Sequence, residues 1–408
     1  METLITLGIG KMELDWGKNS YISNHSTLFQ KSDFEQNIPY YTIDNDEKII
    51  IKYKKGAKKK LKYIKERLDL LGYDLKKIEK IYNDSISTYR VFINNNKTII
   101  NFKMFKKFLT SIDIQNVNNI ISISKDIENG YDPGEFFIKG ILGDSELHTK
   151  MFNNIKNHKR IIGEFFESLH PYIILRLLAE NEANLELYVI WRYREIINNH
   201  YIKKDEIFQS LEDKDKILIV TEGTTDSFIL RRTLEVLYPH ISDFFRFIDM
   251  KENYPFTGVG SLKNFCNGLI KIAIQNNIIV IFDNDTAGIE IFNSFKNIRK
   301  PYNLFICHLP NSISFKKFKT IGPFGSQIKN INGKAVSIEC FLDLSKLNSE
   351  PIIRWKNYNE QMKEYQGALE NKDKYTQIFK NANLLDNSYN CTKLKYLINY
   401  IIKMWINR

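Results

Sequence analysis

No apolar run in the 408-residue chain approaches the ~20 residues that a bilayer crossing needs; the longest, Pro171–Leu178 and Asn277–Phe282, stop far short. The sequence offers no membrane span. The opening Met1-Glu-Thr-Leu-Ile-Thr-Leu lacks a basic n-region, an apolar h-region and a small-residue cleavage site, so no signal peptide is expected and the cytoplasm is the expected location. Cysteine is scarce. Cys266, Cys307, Cys340 and Cys391 form no Cys-x-x-Cys pair and have no histidine at zinc spacing, which argues against a zinc module and for reduced thiols. A Walker A sequence is also missing, so an ATPase would have to act as a partner protein. Internal repeats are absent, and no glycine follows Gly367. Acids are outnumbered: 48 Asp and Glu face 59 Lys and Arg, a net charge of +11 that suits a polyanionic partner. A general bias toward Asn, Ile, Lys and Tyr accounts for part of that excess, so charge nominates nucleic acid without choosing one.

The first 56 residues read as a small β element. Residues 4–9 and 11–16 suggest one hairpin, and 38–53 a second around Asn45-Asp46. From Ala57 the period changes, with Leu61, Ile64, Leu68 and Leu71 at helical spacing and Gly72 as a C-cap. Further helices are expected at Met104–Ile112, Lys159–Leu169 and Leu185–Tyr201, giving a mainly helical region over 57–213. Two short β-branched runs follow, Ile217–Val220 and Ile278–Phe282, of the kind found in parallel strands covered on both faces. They place an α/β domain at 214–346, and 347–408 reads as a helical C-terminal tail.

Both buried runs end in acids. Ile217–Val220 leads into Thr221-Glu222-Gly223-Thr224-Thr225-Asp226, and Ile278–Phe282 into Asp283-Asn284-Asp285-Thr286-Ala287-Gly288. In open α/β sheets, ligands bind at the carboxyl ends of strands. Four carboxylates brought together there repel one another unless a cation neutralises them, and Mg2+ or Mn2+, as one ion or two, suits an all-oxygen donor set. Either motif alone is equally well a helix cap or a turn. Both, each after a buried strand and about 60 residues apart, are hard to assign to caps and turns.

Glu-Gly-x-x-Asp after one strand and Asp-x-Asp-x-Ala-Gly after the next resemble the Toprim domain of topoisomerases, bacterial primases and overcoming-lysogenization-defect nucleases. The resemblance covers about a third of the chain. It implies a Rossmann-like α/β fold in which Glu222, Asp226, Asp283 and Asp285 are catalytic, with Glu222, Asp283 and Asp285 holding metal. Ser337-Ile-Glu339 resembles a later stretch of the nuclease members and implies Glu339 as a further ligand. The cysteine pattern and the length disfavour a primase or topoisomerase. What remains is similar to the HEPN/Toprim-associated proteins of bacterial phage defence; Leu7-Gly-Ile-Gly, Asp15-Trp16 and Tyr365–Glu370 share that likeness. The resemblance implies a metal-dependent endonuclease, an anti-phage effector or toxin, acting on DNA or RNA and forming a homodimer, with a sensor or ATPase partner.

Other residues bear on substrate and on rival chemistries. Lys316 and Lys317, ahead of Ile321-Gly-Pro-Phe-Gly325, are expected to meet phosphate or to face solvent, and Asp249 is a weaker acid for the same crevice. Eight lysines fall in positions 52–65, among them Lys58, Lys59 and Lys60; they suit either sequence-independent phosphate contact or a solvated face. Arg194 and His200, with five residues between them, match the spacing of HEPN ribonucleases, whose chemistry needs no metal. Chance spacing and a helix C-terminus explain that pair equally simply. A third reading keeps the acid domain as a non-catalytic nucleic-acid-binding subunit.

Overall fold

The computed structural model describes residues 5–10, 12–16, 23–43, 49–93, 101–116, 169–198, 200–208, 211–248 and 258–408. The chain divides into two compact units, Met1–Ser210 and Leu211–Arg408. Among the described residues, no helix is long and apolar enough to cross a membrane.

The first unit opens with β1 (Ile5–Ile9) and β2 (Met12–Trp16), an antiparallel pair, then β3 (Gln36–Ile43) against β4 (Ile49–Lys60). Asn45 and Asp46 lie outside the described residues. Helices α1 (Leu61–Leu70), α2 (Leu75–Ile93), α3 (Phe102–Ser111) and α4 (Pro171–Leu178) follow. Leu61, Ile64 and Leu68 of α1 are fully buried, the stripe that the three- and four-residue spacing demands. Most of the segment Lys159–Leu169 lies outside the described residues.

The expected helix over Leu185–Tyr201 does not form as such. Its first half holds β5 (Tyr188–Trp191), which joins a sheet of order β2-β1-β5-β4-β3, and helix is confined to α5 (Arg194–Asn198), followed by α6 (Lys204–Ile207). The reason is local. Val189 and Trp191 are buried while Tyr188 and Ile190 are not, a period of two in aromatic and β-branched residues that favour strands. Trp191 then centres a core with Phe29, Phe34, Tyr193 and Leu61.

The second unit is built on β6 (Ile217–Thr221), α7 (Thr224–Leu237), β7 (Phe245–Phe247), α8 (Val259–Lys271), β8 (Asn277–Phe282), β9 (Asn284–Asp285), α9 (Thr286–Ser294) and β10 (Leu304–His308). The sheet order β10-β8-β6-β7 is parallel throughout. From β6 the chain moves to β7 on one side, then returns to β8 on the other. The strand order therefore reverses between β6 and β8, and the crevice at their carboxyl ends is where such sheets take ligands.

A second sheet follows, of order β12-β11-β14-β15, from β11 (Phe318–Gly322), β12 (Gly325–Lys329), β14 (Ile353–Asn359) and β15 (Glu364–Leu369), with the short β13 (Ala335–Val336) paired to β9. Two helices, α10 (Lys372–Asn381) and α11 (Thr392–Ile406), complete the unit. The expected helical tail over 347–408 is thus corrected: β14 and β15 form an antiparallel pair, with Tyr358 opposite Tyr365 in edge-to-face contact. Cross-strand aromatic pairs of this kind favour sheet over helix. The four cysteines are free and buried.

Candidate functional site

Glu222 leaves the end of β6 and Asp283 the end of β8, side by side because these strands are hydrogen-bonded neighbours. The Glu222 Oε1 accepts the Asp283 backbone N–H at 2.8 Å, tying the two strand ends together. Asp226, in the first turn of α7, turns its Oδ2 back to the Gly223 N–H at 2.9 Å. Asp285 caps α9: its Oδ1 accepts from the Gly288 N–H at 2.8 Å and its Oδ2 from the Gln366 side-chain amide at 2.9 Å. Gly288 has a strict reason to be glycine. A Cβ there would lie 2.2 Å from the Asp283 carbonyl oxygen, so any side chain would push the two acids of this loop apart.

Glu339 reaches the same crevice from the turn after β13. It is buried, accepts the Ser337 hydroxyl at 2.6 Å and pairs with Lys372 Nζ at 3.2 Å. Lys372, the first residue of α10, is a cation beside the group, and its charge acts on Glu222, Asp226, Asp283 and Asp285.

The acids feel one another. Burial, then the charges of Glu339 and Glu222, push Asp226 up to about 7. Burial also lifts Glu222 to about 7, against the Asp283 N–H that stabilises its charged form and with the Asp285 charge adding to the rise. Asp283 is driven well above the ordinary range by burial and by Asp226, Glu222 and Asp285. Asp285 rises too, chiefly through burial. Lys372 is raised as well: burial opposes its charge, but Glu339 and Asp283 outweigh burial and hold the ammonium protonated. Burial first, and then for Glu222, Asp226 and Asp283 the crowding of like charges, accounts for these raised carboxyl pKa values.

Among the described residues, no group of three or more His, Cys, Asp or Glu side chains is disposed to hold a metal ion unaided. Backbone, Gln366, Ser337 or Lys372 donors engage at least one oxygen of each of Glu222, Asp226, Asp285 and Glu339. The donor set nonetheless fits a hard cation of the magnesium type, which takes one or two protein carboxylates and fills its shell with water and phosphate oxygens.

The remaining expected residues lie elsewhere. A pocket of about 200 Å3 opens at Asp285 and is lined by Ser337, Lys356, Gln366 and Lys372; Lys316 and Lys317 are exposed and do not line it. Asp249 lies outside the described residues. In the first unit, Lys59 is only 7% exposed and bridges Asp33 at 2.5 Å, so it is a core ion pair and not a phosphate contact. Lys60 shares Glu186 with Lys62, while Lys58 stands over the Tyr188 ring. Arg194 begins α5, but His200 falls beyond its end, at φ 58°, with its N–H bonded to the Ile197 carbonyl as in a helix C-terminus. Asp15 is the partner of the buried His25, at 2.8 Å. Sequence reading assigned no role to Gln366, Ser337, Lys356 and Lys372. Ser337 and Gln366 stand in stretches that resemble the family, Lys356 and Lys372 carry no local motif, and Gln366, Lys356 and Lys372 come from the segment expected to be helix.

A family model described as HEPN/Toprim N-terminal domain 1 matches residues 1–215. No curated protein and no solved structure matches the chain.

Proposed function

Because the chain belongs to the HEPN/Toprim N-terminal domain 1 family, we propose that its second unit is a Toprim-type metal-dependent nuclease cleaving phosphodiester bonds, serving as an anti-phage effector. The observation that carries this reading is the convergence of Glu222, Asp226, Asp283, Asp285 and Glu339 on the switch point between β6 and β8, with Lys372 as the nearby cation.

Of Glu222, Asp283, Asp285 and Glu339, one or two would hold the cation and the others would balance its charge. When bound, Mg2+ or Mn2+ supplies charge that offsets the phosphate and lowers the pKa of bound water. Lys372 lines the Asp285 pocket and would add positive charge toward a phosphate bound there. Glu222, at the end of β6, would take a proton from an attacking water or return one to the leaving oxygen. Asp226 holds the Gly223 backbone, and with it the direction in which Glu222 points. The homodimer and the sensor or ATPase partner belong to the same proposal and rest on the family resemblance.

The test incubates the full chain with labelled plasmid, single-stranded DNA, total RNA and tRNA, each with Mg2+, Mn2+ or EDTA, beside Glu222→Gln. Metal-dependent cutting that the variant lacks supports the reading. Equal cutting by the variant overturns it, and EDTA-resistant RNA cutting that His200→Ala abolishes would move the chemistry to the first unit.

A further inference from the structure

Strand β14 is irregular where it passes the acid centre. Trp355 pairs with Gly367 and Tyr358 with Tyr365, so three steps along β14 answer two along β15, and the extra residue makes a bulge at Lys356-Asn357 opposite Gln366. In a regular strand consecutive side chains point to opposite faces. Here Lys356 and Asn357 both line the Asp285 pocket, while Trp355 and Tyr365 line a separate pocket with Phe324. The bulge thus turns two adjacent polar side chains toward the acids. Gly367 and Ala368 line the same pocket with almost no side chain and leave it open. Its volume of about 200 Å3 holds about six or seven waters at ~30 Å3 each, which is room for a phosphate group and part of its hydration.

The donors of this pocket fall into two sets. Gln366 gives its amide to Asp285 at 2.9 Å, Ser337 its hydroxyl to Glu339 at 2.6 Å, and Lys372 its ammonium to the same Glu339 oxygen at 3.2 Å. These three are committed to the carboxylates. Lys356 and Asn357 are exposed, and among the described residues neither side chain has an ion-pair or hydrogen-bond partner. Other basic residues nearby are matched: Arg354 on the same strand pairs with Glu370, and Lys334 with Glu364. An unmatched ammonium with an amide beside it, on the wall of a pocket that also holds Asp285, suits an anion, and lysine and asparagine side chains are ordinary donors to the phosphates of a nucleic-acid strand.

We propose that Lys356 and Asn357 grip a phosphate of a nucleic-acid strand in the Asp285 pocket, while Lys372 stays with the acids. The proposal deepens the nuclease reading and rests on it for the strand being a substrate, but its test reads binding. The grip is on the backbone, so it is independent of sequence.

In EDTA, fluorescently labelled 12-mers of DNA and RNA, single-stranded and duplex, are titrated with the full chain from about 50 to 200 mM KCl. On the strand that the wild type binds best, Lys356→Met should weaken binding about 10-fold, equally for two unrelated sequences, and lower the slope of log affinity against log salt by about 1. Asn357→Ala should weaken it about 2- to 10-fold and leave the slope unchanged, because a neutral donor releases no counterion. Lys356→Arg should keep the slope. Lys317→Met, exposed and outside the pocket, should change neither quantity, and all four variants should melt with the wild type, since these side chains are exposed. No binding by the wild type, unaltered affinity in Lys356→Met, or an equal loss in Lys317→Met overturns the proposal, the last because the lysines then act only as general surface charge. If the losses appear as expected and no strand is cut under any metal, the nuclease reading fails and the phosphate site stands. If Glu222→Gln abolishes cutting while Lys356→Met binds and cuts like the wild type, the nuclease reading stands and the phosphate site fails.

Discussion

Replacing Glu222 by glutamine should stabilise the metal-free protein at alkaline pH and leave it unchanged in acid. Glutamine keeps an oxygen where Glu222 Oε1 accepts the Asp283 N–H at 2.8 Å, so the strand-end link survives while the charge goes. Burial raises the glutamate from 4.5 to about 7. A carboxyl raised by folding binds its proton more tightly when folded, so its stabilising contribution is complete below about pH 4.5 and is lost as pH climbs through about 7. At ~1.36 kcal/mol per unit, the loss above pH 8 is roughly 3 kcal/mol, and partial exposure of the side chain reduces it to about 2. For a unit of this size that corresponds to a gain of about 4–8 °C in the variant. The assay is thermal unfolding in EDTA at pH 5 and pH 8.5. A variant that melts at or below the wild type at pH 8.5 would refute the claim that this carboxyl is held against its charge.

Three further substitutions separate structural from chemical roles. Gly288→Ala drives a methyl group into the Asp283 carbonyl and should destabilise the second unit by at least about 2 kcal/mol, measured by urea unfolding, with cutting lost in parallel. Lys59→Met leaves Asp33 largely buried without its partner and should cost about 3 kcal/mol, whereas Lys58→Met should shift the unfolding midpoint by less than about 0.5. His200→Gly relieves a left-handed backbone and should stabilise by about 1 kcal/mol; undiminished nuclease activity in that variant would separate cutting from the Arg194/His200 pair.

Much of the acid centre is legible from sequence because its parts are local. A continuous apolar run that ends in an acid reports a covered strand and its carboxyl end without reference to the rest of the chain, and Ile278–Phe282 leading into Asp283 is such a case. Glu339 came from a resemblance, since a lone acid in a turn has no periodicity to mark it. Lys372 and Gln366 were invisible for a different reason. They reach Glu339 and Asp285 only because β14 and β15 fold back as a hairpin, and that hairpin is written in the aromatic pairing of Tyr358 with Tyr365, not in a spacing that distinguishes strand from helix. The misreading of Leu185–Tyr201 has the same origin: apolar residues dense enough to satisfy both periods are decided by partners, here β1 and β4 on either side of β5. Lys59 shows the converse error. Eight lysines in a row of fourteen positions look like one solvated face, yet strand alternation sends this one inward to Asp33.

The most direct test of the acid centre is a calorimetric titration of Mn2+ into the metal-free full chain at pH 6, beside Asp283→Asn of verified melting temperature. The wild type should take up one or two equivalents with release of protons from the raised carboxyls, and the variant should lose most of that binding. No uptake by the wild type, or equal uptake by both, would contradict a cation held between the ends of β6 and β8.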